Sequence, residues 1–341
     1  MLKVGIVGIG FMGMIHYLAY QRIENVKVVA LCESFFKERL KGDWTKIKGN
    51  FGPQGTQMDL SGIATYEKLD DMLADANVDV VDICLPPAAH AANTIAALNA
   101  GKNVFCEKPI SLKAEEGVAM VETAQKTGKL LMIGHVLPFF DAFNFIYQKK
   151  LSGEYGKCLG GNFTRVISDP TWLKNFYSMN GSGGPMLDLH IHDAHFIRTM
   201  FGMPKAVRTL GRLRGDVPEY FNSHFVYNDS DLVVTATSGC IMQQARPFTF
   251  SYEVHFEKAT VFTDCFNAVP VTVLHEDGSI EKPEFPAGDD ISPVVNELTE
   301  ARNCFLEGKP SAMLDGSLAR DALTICHKEI DSCNLRTQIM I

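Results

Sequence analysis

LKVGIVGIGFMG, residues 2–13, is an apolar, β-branched run that closes on glycines spaced as G-x-G-x-x-G. Residues 2–8 have the composition of a buried strand, and residues 11–22 carry a helical pattern. Three glycines between a strand and a helix have a specific physical use. Gly8 permits a tight turn. Gly10 lets the backbone approach a pyrophosphate, which the helix N-terminus then stabilises. Gly13 lets helix and strand pack closely. The motif therefore predicts a dinucleotide loop in which Gly8, Gly10, Phe11, Met12 and Gly13 meet the cofactor.

The flanking residues extend this reading. VKVVALC, residues 26–32, reads as a second buried strand, and Glu33 closes it twenty residues beyond Gly13 (33 − 13). A carboxylate there accepts hydrogen bonds from ribose hydroxyls and repels a 2′-phosphate, so NAD is favoured. Ser34, Lys37 and Arg39 leave NADP open. Strand and helix patterns then alternate: helix 67–74, strand 78–85, helix 88–100, strand 103–106, helix 113–127 and strand 130–133. That order predicts an α/β fold, a doubly wound parallel sheet with helices on both faces. The polar stretch 41–62 reads as a surface excursion.

After His135 the pattern changes to helix 141–151 and alternating runs over 157–167 and 205–274, with helices at 294–307 and 315–333. We expect an NAD(P)-binding Rossmann domain over 1–134. An α+β domain over 135–341 follows, with a large, mostly antiparallel open sheet and a C-terminal helix that can pack back on the first domain. A chain of 341 residues suits two such cores. Net charge of −8 argues against nucleic acid as a partner. No apolar run is long enough for a membrane span, and no cleavable leader is read. Nine cysteines without a C-x-x-C pair suit reduced thiols, hence a cytoplasmic location.

Two further stretches carry chemistry. Glu107-Lys108-Pro109 follows the predicted strand NVFC, at a sheet edge where ligands sit. The proline fixes a rigid turn, and Glu107 is placed to orient Lys108. MLDLHIHDAHF, residues 186–196, holds three of the ten histidines. On one continuous helix over 186–201, Asp188, His192 and His195 share a face, while His190 and Asp193 point elsewhere. Three uses stand open: a metal site on that face, proton transfer by Asp188 and His192, or core packing for His190 and His195.

GIGFMG (8–13), CLPPAAHAANTIAALNAGKNVFCEKP (84–109), GSGGPMLDLHIHDAHFI (181–197) and GKPSAMLDGSLARDALTIC (308–326) occur in that order. The set resembles the glucose–fructose oxidoreductase / inositol dehydrogenase / rhizopine-catabolism family, written Gfo/Idh/MocA, along essentially the whole chain. The resemblance implies NAD(P)-dependent hydride transfer at a secondary hydroxyl or keto group of a sugar, cyclitol or sugar acid. It also implies a homodimer or homotetramer built through the second sheet. Lys108 matches the catalytic and substrate-binding lysine of the family's E-K-P. Leu85, Pro86, Pro87 and His90 match the loop beside the nicotinamide, and Asp188 and His192 match its D-x-x-x-H pair. No metal is expected.

The chemistry suits these residue types. Oxidising an alcohol requires loss of its hydroxyl proton, a task for histidine near neutral pH. A lysine can hydrogen-bond the same oxygen. Arg165, Trp172, Asn175, Asn180 and Ser182 are candidates for the remaining substrate hydroxyls. A glycoside hydrolase of the same fold, using transient oxidation and elimination, is the alternative. A non-catalytic NAD(P)-binding regulator is disfavoured because Lys108 and His192 are both present.

Overall fold

The computed structural model describes residues 1–265 and 269–341. Its first sheet is built from β1 (Leu2–Val7), β2 (Val26–Cys32), β3 (Ala64–Tyr66), β4 (Val80–Ile83), β5 (Asn103–Glu107) and β6 (Leu131–Gly134). All neighbours run parallel, in the order β3-β2-β1-β4-β5-β6. The connecting helices are α1 (Phe11–Tyr20), α2 (Leu69–Leu73), α3 (His90–Asn99) and α4 (Ala114–Thr127). Strands covered on both faces must be apolar throughout, and Val4, Ile6, Val80, Val81, Ile83, Val104 and Phe105 are fully buried. The chain leaves the centre toward β3, then returns to β4 beside β1. Between β1 and β4 the winding reverses, and a crevice opens outside their carboxyl ends. Gly8 follows β1 and Leu85 follows β4, so both loops lie at that crevice.

The stretch 41–62 is not the surface excursion expected of it. Trp44 and Ile47 within it are buried in the core, and the Trp44 ring meets Tyr17 of α1 edge-on, centroids 5.0 Å apart. The indole Nε1 donates to the Arg39 carbonyl at 2.8 Å. The polar residues of the segment hid an aromatic anchor.

The second sheet contains β7 (Cys158–Ser168), β8 (Ala206–Arg214), β9 (Val217–Val226), β10 (Val233–Ile241), β11 (Thr249–Phe256), β12 (Ala259–Asp264), β13 (Val269–His275), β14 (Ile280–Glu281) and, from the end of the chain, β15 (Ile339–Met340). Their order is β14-β13-β12-β11-β7-β10-β9-β8-β15. Only the β7–β10 pair is parallel. Alternating burial along β9, with Phe221, Ser223 and Phe225 inside, is the period-2 pattern of a sheet covered on one face. Residues 266–268 of the predicted strand region lie outside the described residues. α5 (Asp141–Ser152) precedes β7, and α6 (Ile191–Phe201) lies between β7 and β8.

The chain divides differently from the expected 1–134 and 135–341. One unit comprises Met1–Phe139 and Ala287–Arg320, the other Phe140–Pro286 and Asp321–Ile341. α7 (Ser292–Glu307) belongs to the first unit, where Val294, Leu298, Ala301 and Phe305 join the core that includes Met14 and Ile15 of α1. α8 (Gly316–Leu335) begins in the first unit and continues in the second. Its predecessor α7, rather than the last helix alone, rejoins the parallel sheet, because its apolar stripe at i, i+4, i+7 fits the exposed side of α1.

Candidate functional site

The glycines of the β1–α1 loop separate by cause. Gly8 has φ +89°, and a Cβ there would lie 2.8 Å from the Cys84 carbonyl oxygen. A Cβ on Gly13 would lie 2.1 Å from the Gly8 carbonyl oxygen. The protein's own backbone demands both. Gly10 differs: a Cβ there meets nothing within 4 Å. The first turn of α1 carries no side-chain cap and no acid. The unfilled space at Gly10 and the uncapped N–H groups fit a pyrophosphate. Phe11 and Met12 are half-buried behind this turn.

Glu33 is buried and tied to the same loop. Its Oε2 accepts from the Ile9 N–H at 3.0 Å, and its Oε1 accepts from the Phe35 and Phe36 N–H groups at 2.9 and 3.3 Å. The residues that left NADP open are occupied. Lys37 pairs with Glu67 at 2.6 Å, and Ser34 Oγ donates to the Glu67 carbonyl at 2.8 Å. Arg39 donates to the Ile9 carbonyl at 2.8 Å, with its guanidinium 3.9 Å over the Phe36 ring.

Lys108 leaves β5 at the same carboxyl edge, and its peptide bond to Pro109 is cis. Its backbone N–H donates to Glu107 Oε2 at 3.1 Å, so Glu107 holds the lysine's main chain. Glu107 is itself buried and serves this turn. His90 braces the same turn. It is fully buried, with Nδ1 2.8 Å from the Pro109 carbonyl and Nε2 2.7 Å from the Leu85 carbonyl. Burial, outweighing those carbonyls, lowers its pKa from the usual histidine value. The ring ties the Leu85–Pro86–Pro87 turn to the Lys108–Pro109 turn and is closed to a ligand.

His16 was absent from the sequence-based expectations. Fully buried on α1, it places Nδ1 2.9 Å from Asp82 Oδ2 and Nε2 3.1 Å from Glu107 Oε1. Cys84 Sγ lies 3.3 Å from the same Nδ1. Burial opposes charge on this ring, but Asp82 and Cys84 beside it raise the pKa well above the ordinary histidine value. The available signal was a histidine inside the apolar helix FMGMIHYLAY and an aspartate inside the buried strand VVDI.

In the second unit the helix expected over 186–201 is continuous but opens with a π-helical turn over Met186–His190, and the α-helix starts at Ile191. The wider turn changes the angular step between Asp188 and His192, so simple i, i+4 spacing does not describe them. Both are half-buried, whereas His195 is fully buried. His190 lies 2.8 Å from Ser238 Oγ and 3.0 Å from Glu329 Oε1. Burial opposes its charge, but Glu329 raises its pKa overall. Asp193, expected to lie off the Asp188–His192–His195 face, accepts from Arg165 Nε at 2.7 Å and from Nη2 at 3.1 Å. Arg165 is therefore buried in an ion pair that engages its Nε and Nη2 inside the unit. Trp172 is 70% exposed, Asn175 has φ +55°, Asn180 is exposed, and Ser182 Oγ donates to the Phe176 carbonyl at 3.1 Å.

Residues 2–135 match a family model described as an oxidoreductase family with an NAD-binding Rossmann fold, and residues 150–262 match the GFO/IDH/MocA C-terminal domain. The myo-inositol 2-dehydrogenase of Thermotoga maritima is 25% identical over 295 residues, covering 81% of this chain and 79% of that protein. The inositol 2-dehydrogenase of Rhizobium meliloti is 26% identical, covering 83% and 81% respectively. Among solved structures, a levoglucosan dehydrogenase in complex with NADH and levoglucosan superposes with a TM-score of 0.84 at 18% identity, covering 100% of this chain and 99% of that one. At that identity the likeness is one of fold. No helix among the described residues is long and apolar enough to cross a membrane.

Proposed function

From the membership of this chain in the GFO/IDH/MocA oxidoreductase family, whose two domain models it matches in order, we infer its substrate class and the residues that act on it. The chain is an NAD-dependent dehydrogenase acting on CH–OH groups. The reading proposed is hydride transfer at a secondary hydroxyl or keto group of a sugar, cyclitol or sugar acid. The observation that carries it is the common edge: the Gly8–Gly13 loop after β1 and Lys108 after β5 leave the carboxyl ends of one parallel sheet. The inositol dehydrogenase names of the relatives support the polyol class.

Bound NAD⁺ supplies the hydride acceptor. When NAD⁺ binds, Gly10 would admit the pyrophosphate in the loop that Gly8 and Gly13 shape, Glu33 would hold the adenosine ribose, and Leu85 and Pro86 would line the nicotinamide side. Lys108 donates a hydrogen bond to the reacting oxygen and stabilises negative charge on it. His192 takes the hydroxyl proton, and Asp188 orients that histidine or holds a neighbouring hydroxyl. Trp172 is the remaining candidate for the sugar face. The second sheet, with Leu210, Leu213, Tyr220 and Val233 exposed, is the proposed surface for a homodimer or homotetramer. Nine free thiols support a cytoplasmic location.

The test is incubation with NAD⁺ and a panel of polyols and sugars, including myo-inositol, followed by absorbance of NADH. A parallel panel uses nitrophenyl glycosides. NADH growth on a polyol supports the reading. Nitrophenol release without NADH growth replaces it with redox-neutral glycoside hydrolysis. Lys108→Met and His192→Ala should each cut turnover about 10²–10⁴-fold. Near-normal turnover in both variants would remove these assignments.

A further inference from the structure

Lys108 stands on a buried chain of titratable groups that the reaction itself does not call for. Its backbone N–H is held by Glu107 Oε2, and the other oxygen of that carboxylate lies 3.1 Å from His16 Nε2. The far side of the ring meets Asp82 at 2.9 Å and Cys84 at 3.3 Å. Tyr20 lies one turn along α1, where burial and then Asp82 push its hydroxyl well above the ordinary tyrosine value, and burial and then Glu107 do the same to the carboxyl of Glu297 on α7. His16 and Asp82 are fully buried, and the Glu107 side chain is 11% exposed.

A histidine with a carboxylate at each nitrogen donates through both only as imidazolium. In that form it joins two carboxylates that would otherwise repel each other in a low-dielectric interior. A neutral ring would leave one carboxylate facing a lone pair. His16, Asp82, Glu107 and Glu297 come from four different elements: α1, β4, the end of β5 and α7. Structural reasons alone would favour apolar side chains of the same volume here, since a buried ion cluster rarely gains stability over them.

We propose that His16 is a positioning residue for Lys108: bridging Asp82 and Glu107, it fixes the carboxylate that clamps the lysine's main chain and sets the charge beneath its side chain. This rests on the reading of Lys108 as a catalytic group. An ion at His16, Asp82 and Cys84, whose ligating atoms lie within 4.8 Å of one another, is the rival use. His16 does its work without touching the substrate.

The experiment needs no substrate. Lysines of the full-length protein are reductively dimethylated with ¹³C-formaldehyde, and the Lys108 signal is assigned by its absence in Lys108→Arg. Its titration is followed in wild type, His16→Gln and Glu107→Gln, with thermal melting as the folding control and NADH fluorescence titration as the binding control. Removing the Glu107 charge should lower the Lys108 midpoint, and removing the His16 charge should shift it the opposite way. NADH affinity should stay within about threefold, because the glycine loop is untouched. A folded His16→Gln or Glu107→Gln protein whose Lys108 titrates as in wild type overturns the proposal, as does stoichiometric zinc in the purified protein. If His16→Gln does not fold, Glu107→Gln and Asp82→Asn carry the same comparison. Normal turnover by Lys108→Arg and Lys108→Met would fault the catalytic reading instead, leaving the titration result to stand by itself.

Discussion

The N–H of Ile9, inside the glycine loop, donates to Oε2 of Glu33 at 3.0 Å. The residue read as a ribose acceptor therefore also shapes the loop that receives the pyrophosphate. A carboxylate oxygen has lone pairs for both tasks. Replacing Glu33 by Ala should weaken NAD⁺ by roughly tenfold or more, since hydrogen bonds to a charged group contribute about 1.5–3 kcal/mol. NADP⁺ affinity should not rise in proportion, because the loop loses its anchor at Ile9. Calorimetric titration of both cofactors checks this. An unchanged NAD⁺ affinity would remove Glu33 from the site.

Gly10 and Gly13 should part company on substitution. Gly13→Ala drives a methyl into the Gly8 carbonyl at 2.1 Å, which the backbone can relieve only by moving. A stability loss of about 1–3 kcal/mol is expected in urea unfolding. Gly10→Ala meets open space, and Gly10 already has φ −86°. That variant should keep wild-type stability and lose NAD⁺ binding. Equal stability losses in the two would mean that the loop is not held open for a ligand.

The parts of this molecule that were legible in its sequence are those with a local cause. Gly8, Gly10 and Gly13 answer to one turn, and the strand–helix alternation to covered strands, so both could be read from neighbours in the chain. His16, Asp82 and Glu297 could not. His16 and Asp82 look like exceptions within apolar segments, Glu297 is one polar residue among many on its helix, and only the fold brings the three together. Trp44 was hidden by polar neighbours. The π-helical turn at Met186–His190 defeated the spacing argument because i, i+4 geometry presumes 3.6 residues per turn. The ion pair of Arg165 was hidden for a related reason: its partner Asp193 belongs to a face that a regular helix was expected to turn elsewhere.

The Arg165–Asp193 pair should behave as a buried ion pair, with side chains 5% and 1% exposed. Arg165→Met leaves Asp193 charged and uncompensated, at a cost of about 3–5 kcal/mol. Adding Asp193→Leu should recover most of that loss, because the stranded charge is gone. Urea unfolding of the two single variants and the double variant gives the coupling. Additive losses would show that the pair does not act as one unit.

Glu297 supplies the sharpest pH test. Burial first, then the neighbouring Glu107 carboxylate, raises its pKa well above the ordinary carboxyl value. The folded state thus keeps a proton that the unfolded chain releases above about pH 4.5, so stability falls as pH rises from there. His16, also raised, retains its full contribution below its unfolded pKa of about 6.5 and loses it only at higher pH. Between pH 5 and 6 the two effects separate. Glu297→Gln mimics the neutral acid and cannot titrate. In that window its stability should be flatter with pH than wild type, by at most about 1.4 kcal/mol per pH unit. Above about pH 6.5 both proteins should gain a further common decline, because the unfolded chain's histidine releases a proton that folded His16 keeps. Urea unfolding at half-unit steps reads both slopes, and parallel curves between pH 5 and 6 would mean that Glu297 is ionised in the folded protein.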